Sequence, residues 1–251
     1  MPVVQYSIPG KTHKAKGIPC QDACSCCLSA NGYHVMCVAD GVSSSPHSQE
    51  ASRIAVESIQ TFWQDYSSAF ADEDSLLSAL RSSFNYAYGQ IMAYRGNQYG
   101  YETTLHVAVI CKNLGVFYGH VGDGGLFVWK SNGEVSCLTE AMKDVDGFSV
   151  VTLSAGPKAW HFGHLMDRNI ASVLLVTDGV YDALCSSLRP KDALQYLMDP
   201  NVLAQQKLIS SERSDAYFEK LFRGRTRNKD MLLSTFQSID DDITLSVCYD
   251  L

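Results

Sequence analysis

Four short apolar runs follow one another between Thr103 and Leu138: Leu105 to Cys111, Val116 to Val121, Leu126 to Trp129 and Val135 to Leu138. Lys112-Asn113-Leu114-Gly115, Gly122-Asp123-Gly124-Gly125 and Lys130-Ser131-Asn132-Gly133 separate them. Links this short join antiparallel neighbours, because a parallel pair needs a crossover of roughly a dozen residues or more. The spacing therefore predicts an antiparallel meander. Another hairpin is predicted from the runs Ala23 to Ser29 and Tyr33 to Ala39, which meet through Ala30-Asn31-Gly32, an Asn-Gly pair that tolerates positive φ. Between these strand regions Ala51, Ile54, Ala55, Ile59, Phe62 and Trp63 recur at helical spacing, as do Leu76, Leu77, Leu80, Phe84, Ala87, Tyr88 and Ile91. After a less regular stretch from Thr139 to Asn169 come a strand at Ala171 to Thr177, helical patterns over much of Leu188 to Phe236, and a closing strand at Ile243 to Val247. Helices inserted in blocks, not after each strand, make the class α+β with antiparallel sheets.

The chain has 251 residues, of which 46% are hydrophobic and 19% charged, so residues 1–251 are expected to form one domain with a large core. Its net charge of -7 lacks the basic excess that nucleic-acid or anionic-membrane binding requires. The segment Met1-Pro2-Val3-Val4-Gln5-Tyr6-Ser7 shows no basic stretch leading into an apolar run, and nothing approaches the ~18 apolar residues of a membrane span. A cytoplasmic monomer is expected. Nine cysteines, an odd number, fall mostly in apolar runs and read as reduced thiols. Cys24, Cys26 and Cys27 lie in one predicted strand, where alternate side chains face opposite ways, so a single ion could hardly collect them.

The chemistry concentrates at strand ends. Asp22, Asp40, Asp123, Asp178 and Asp241 come from five separate segments, and Asp40 and Asp178 each follow an almost wholly apolar run and precede a glycine. Such a carboxylate projects past the sheet edge, and the glycine lets backbone approach closely. Asp-Gly is also ordinary turn composition, so no single pair identifies a site. If several of these ends converge, their charges raise one another's pKa and call for a cation. An all-oxygen donor set suits Mg²⁺ or Mn²⁺, and a pair of such ions can ready a water for attack on phosphorus.

At these residues the sequence resembles the metal-dependent type 2C family of serine/threonine protein phosphatases. Gly17-Ile18-Pro19-Cys20-Gln21-Asp22-Ala23 is similar to the family's Asn-Gln-Asp-Ala block, with Cys20 in place of Asn. Val38-Ala39-Asp40-Gly41-Val42 followed by Ala51-Ser52, Thr103-Thr104-Leu105, Gly119-His120-Val121-Gly122-Asp123, Leu174 to Asp182, and Asp241-Asp242-Ile243-Thr244 match the later blocks in order. The resemblance implies a four-layer α-β-β-α sandwich and direct hydrolysis of phosphoserine or phosphothreonine by a hydroxide bound to metal. It also implies that Asp40 bridges two ions, with Asp178 and Asp241 on the first, and Asp22 and the Gly41 carbonyl near the second. Asp123 and Asp182 would serve a third together with Asp178. The implied partner is a phosphoprotein made by a serine/threonine kinase.

Departures from the family pattern bear on the substrate. Gly17 stands where an Arg commonly holds the phosphate, leaving His13, Lys14 or Lys16 as substitutes; Ser43 and Ser44 replace glycines, Gly124 replaces Ser, and Glu102 replaces Gly. The segment after Thr139 lacks the usual Asp-His pair, in the region where the family's substrate-selecting flaps lie. These losses keep open a phosphatase-fold binding module without turnover, and an esterase for small phosphate esters. His47 is a further loop histidine near the proposed ligands, His120 reads as a packed strand residue, and Arg213, Lys220, Arg223, Arg225, Arg227 and Lys229 read as a solvated basic face.

Overall fold

The computed structural model describes residues 1–65, 72–96, 98–112, 114–143, 149–208, 211–224, 236–237 and 239–251. Strand β1 (Val3–Ile8) and helix α1 (Lys11–Lys16) precede the hairpin of β2 (Ala23–Leu28) and β3 (His34–Ala39). Helices α2 (Ser48–Asp65) and α3 (Glu73–Arg95) follow, then β4 (Leu105–Cys111), β5 (Gly115–Val121), β6 (Gly125–Lys130), β7 (Val135–Cys137), β8 (His161–Leu165) and β9 (Ile170–Val176). Helices α4 (Asp178–Ser186), α5 (Pro190–Met198), α6 (Pro200–Gln205) and α7 (Ser211–Arg223) lead to β10 (Ile243–Tyr249).

The strands form two antiparallel sheets, ordered β1-β10-β9-β6-β7 and β2-β3-β4-β5-β8. Alternation along each strand builds three apolar layers. Val35, Cys37 and Ala39 of β3 face α2 and α3, whose Ile59, Trp63, Leu80 and Phe84 are buried against that sheet. Met36 and Val38 face Val128, Val173 and Leu175 of the other sheet. On the far side Leu174, Val176, Leu245 and Val247 pack under α4, α5 and α7. This is the α-β-β-α sandwich of the sequence-based expectation, and it explains why the runs read as continuously apolar: both faces of each central strand are covered, so no polar alternation survives.

The expected meander is corrected. β5 pairs with β4 and β8, while β6 pairs with β7 and β9, so the chain leaves one sheet and enters the other between Val121 and Gly125. Gly122 makes the change of direction with φ +117, and a Cβ there would lie 2.5 Å from the Thr104 side chain. A four-residue link looks alike whether it turns a hairpin or crosses between sheets; the non-local partners decide. The stretch from Thr139 to Asn169 contains the edge strand β8, whose His-Phe-Gly-His-Leu sequence is too polar to announce itself. Strand β1 and the short α1, which buries no residue, also went unread. Arg225, Arg227 and Lys229 lie outside the described residues, and no described helix is long and apolar enough to cross a membrane.

Candidate metal centre

Two strand ends from different sheets meet at the site. β3 delivers Asp40, and β9 runs through Thr177 into Asp178, the first residue of α4, where a carboxylate also faces the positive end of the helix. The sheet-crossing link brings Asp123 between them. Asp40, Asp123 and Asp178 each offer a carboxylate oxygen, and the three oxygens lie within 4.8 Å of one another. Asp22, just before β2, is buried beside Asp40.

The backbone around Asp40 is held on both sides. Its N–H donates to Thr104 Oγ1 at 2.9 Å, while its carbonyl accepts from Thr103 Oγ1 at 2.9 Å and from the Thr104 N–H at 2.8 Å. Gly41 forms a bridge with Thr103, and a side chain there would strike backbone: a Cβ would lie 2.5 Å from Ser48 O and 2.7 Å from Gln21 O. Glu102, where the family pattern has Gly, accepts hydrogen bonds from the hydroxyls of Thr152 and Ser154 and ties the 152–154 turn to this strand.

The electrostatics are those of an anionic cluster short of cations. Burial, then the charge of Asp22, pushes Asp40 well above the usual carboxylate range. Burial likewise raises Asp22, although Thr177 Oγ1 donates to its Oδ2 at 2.8 Å. Asp178 is pushed up to about 8 by burial and then by Asp40, Asp241 and Asp123. Burial raises Asp123 too, partly offset by Lys143, whose Nζ lies 3.5 Å from Asp123 Oδ2. Among the described residues, Asp22 Oδ1 and Asp123 Oδ1 are buried without a hydrogen-bond donor. Buried acceptor oxygens in that condition are costly, and a hard divalent cation is the partner this all-oxygen set fits.

The remaining sequence candidates are more peripheral. Asp241 and Asp182 are exposed. Asp241 Oδ1 accepts from the Asp242 N–H at 2.8 Å while its charge acts on Asp40 and Asp178; the charge of Asp182 acts on Asp123. His13 sits on Asp242, Nδ1 to Oδ1 at 2.9 Å, and its side chain is 12% exposed. Gly17 ends α1 with φ +66, a left-handed turn in which an Arg would be strained. His47 stacks on Tyr101 at 4.5 Å, and His120 is buried in β5. Cys24 and Cys26 side with the inter-sheet layer and Cys27 with the helix layer.

Sequence reasoning missed three residues that shape the site. Thr177 bonds Asp22, and Lys143 pairs with Asp123. Asp242 binds the Gly10 N–H at 2.7 Å and the Gln21 N–H at 2.6 Å, besides His13, and so fastens the segment before Asp22 to the start of β10. Its adjacency to Asp241 was the available signal: two neighbouring acids at a strand start cannot point the same way, so one must turn inward.

A family model described as protein phosphatase 2C matches residues 9–223. Among solved structures, a serine/threonine phosphatase from S. agalactiae is 16% identical with TM-score 0.70, covering 100% of this chain and 99% of its own. Stp1, a serine/threonine phosphatase from Staphylococcus aureus, is 12% identical with TM-score 0.70, over 99% of this chain and 94% of that one. The catalytic domain of the serine/threonine protein phosphatase PstP, solved in complex with 2 manganese ions, is 16% identical with TM-score 0.66, over 98% and 96%. At these identities the structures show the shared fold. No curated protein sequence matches the chain.

Proposed function

Because the chain belongs to the protein phosphatase 2C family, we propose that it hydrolyses phosphoserine and phosphothreonine in proteins, opposing a serine/threonine kinase, with Mn²⁺ or Mg²⁺ held by its strand-end carboxylates. The observation that carries this reading is the gathering of Asp40, Asp123 and Asp178 oxygens within 4.8 Å, with buried oxygens of Asp22 and Asp123 left without donors. Asp40 would be shared by two ions, with Asp178 and Asp241 as further ligands of one and Asp22 and the Gly41 carbonyl of the other. Divalent ions bound there supply an acidified water and charge neutralisation for a phosphoryl group. That a protein of this fold was solved with two manganese ions supports the choice of a divalent metal.

The protein's own groups set the geometry. Thr103 and Thr104 fix the peptide on either side of Asp40, which holds its backbone at the end of β3. Thr177 orients Asp22 by occupying Oδ2, which leaves Oδ1 for an ion. For the substrate phosphate, His13 is the candidate: its Nδ1 is held 2.9 Å from Asp242 Oδ1, which leaves Nε2 as the ring atom for a phosphate contact.

The test is hydrolysis of a phosphothreonine peptide and of an aryl phosphate with and without Mn²⁺, for the parent, Asp40→Asn and Asp178→Asn. Mn²⁺-dependent turnover that falls about a thousandfold in each variant is expected. Metal-independent turnover, or full activity in both variants, overturns the proposal. Phosphopeptide binding without turnover at saturating Mn²⁺ would assign the chain a binding role instead, the outcome that the loss of Arg at Gly17 makes worth measuring.

A further inference from the structure

Asp123 divides its two oxygens between different surroundings. Oδ1 is buried with no donor among the described residues, whereas Oδ2 faces the ammonium of Lys143 at 3.5 Å. This is not a stray surface contact. The segment carrying Lys143 is pinned to the loop carrying Asp123: the Met142 N–H donates to Gly122 O at 2.9 Å, the Val151 N–H donates to Met142 O at 3.0 Å, and Lys143 forms a bridge with Val150. Backbone bonds therefore set the position of the lysine's main chain beside Asp123. The Lys143 side chain is 43% exposed against 11% for Asp123, so the cation stays in contact with water while the buried carboxylate gains a counter-charge.

We propose that Lys143 is the resident cation on the Asp123–Asp182 side of the site, standing where a third divalent ion would bind, so that the centre takes up two ions and not three. The inference rests on the phosphatase reading, which supplies the two-ion centre. A third ion ligated through Asp123 Oδ2 and Asp182 would have to displace this ammonium or bear its repulsion. Lys143 acts through Asp123 and is a positioning residue, coupling the 139–143 segment to the state of the metal centre. Nothing in the sequence pattern announces it, since the lysine belongs to the stretch where the family's Asp-His pair is missing.

The experiment is Mn²⁺ uptake by the full chain, measured by titration calorimetry at neutral pH, for the parent, Lys143→Met, Lys143→Gln, Lys143→Arg and the double variant Lys143→Met with Asp182→Asn. Two ions are expected for the parent and for Lys143→Arg, and three for Lys143→Met and Lys143→Gln, the added one at least tenfold weaker and lost in the double variant. A lysine with a merely structural role would lower the unfolding temperature without adding a site. Two ions in both neutral variants, or three in the parent, overturn the inference and leave the phosphatase reading standing. No uptake by the parent overturns both.

Discussion

The acids of the centre fall into two groups with different physics. Asp22, Asp40, Asp123 and Asp178 sit at the sheet ends, wholly or partly buried, where desolvation raises every one of them. Asp182 and Asp241 stand at the rim in water. Both groups offer the same donor atom, yet the inner acids are a liability in the metal-free protein and the rim acids are not. Fold stability and ion affinity are therefore opposed at the inner positions and linked at the outer ones only through the charge that Asp241 and Asp182 exert on the inner acids.

The largest expected effect comes from disturbing the frame that holds the inner group. Gly41→Ala would drive a methyl against Ser48 O and Gln21 O, both backbone atoms that cannot rotate away, and should cost about 3 kcal/mol, read as a fall in denaturation midpoint. A pH series on the metal-free protein tests the inner acids directly. Asp178 has a folded value of about 8 against an ordinary 3.8, and Asp22 and Asp40 shift the same way. The folded state thus holds more protons between those limits, so stability is fully present below about pH 4 and is lost as the pH rises through about 8. Unfolding temperature should fall from pH 5 to pH 8, and Mn²⁺ should reverse the trend; a flat profile would mean that these acids are already compensated.

Asp40→Asn sharpens the contrast further, because the variant that loses turnover should be the more stable one without metal at pH 8, by about 1–2 kcal/mol. Calorimetric melting with and without Mn²⁺ reads both signs. Smallest of all, Asp241→Asn and Asp182→Asn should leave metal-free stability within about 0.5 kcal/mol, since both side chains are exposed, and Asn at 241 can still accept from the Asp242 N–H. A destabilisation above 1 kcal/mol at either rim position would break the division into two groups.

The inner group was legible before the structure because burial leaves a mark in sequence: an acid directly after Val35-Met36-Cys37-Val38-Ala39, or after Val173-Leu174-Leu175-Val176-Thr177, contradicts its surroundings. The hairpin of β2 and β3 and helices α2 and α3 were legible for the same reason, their apolar spacing being long and regular. Three kinds of feature were not. The crossing between sheets at Gly122 depends on partners far along the chain. β8 is a polar edge strand that buries little. Lys143, Thr177 and Asp242 are common residue types whose roles come only from what stands opposite them.

The tether made by Asp242 and the strand beside it also constrains how the protein comes into being. β10 lies between β1 and β9, so the first strand has no partner until residues 243–249 exist, and the segment before Asp22 is fastened only when Asp242 arrives. Contacts spanning more than 200 positions make for slow, late closure. A nascent chain on the ribosome can thus form the β2–β3 hairpin and its helices early, yet β1 and the segment before Asp22 are left without their anchors until synthesis has passed residue 249.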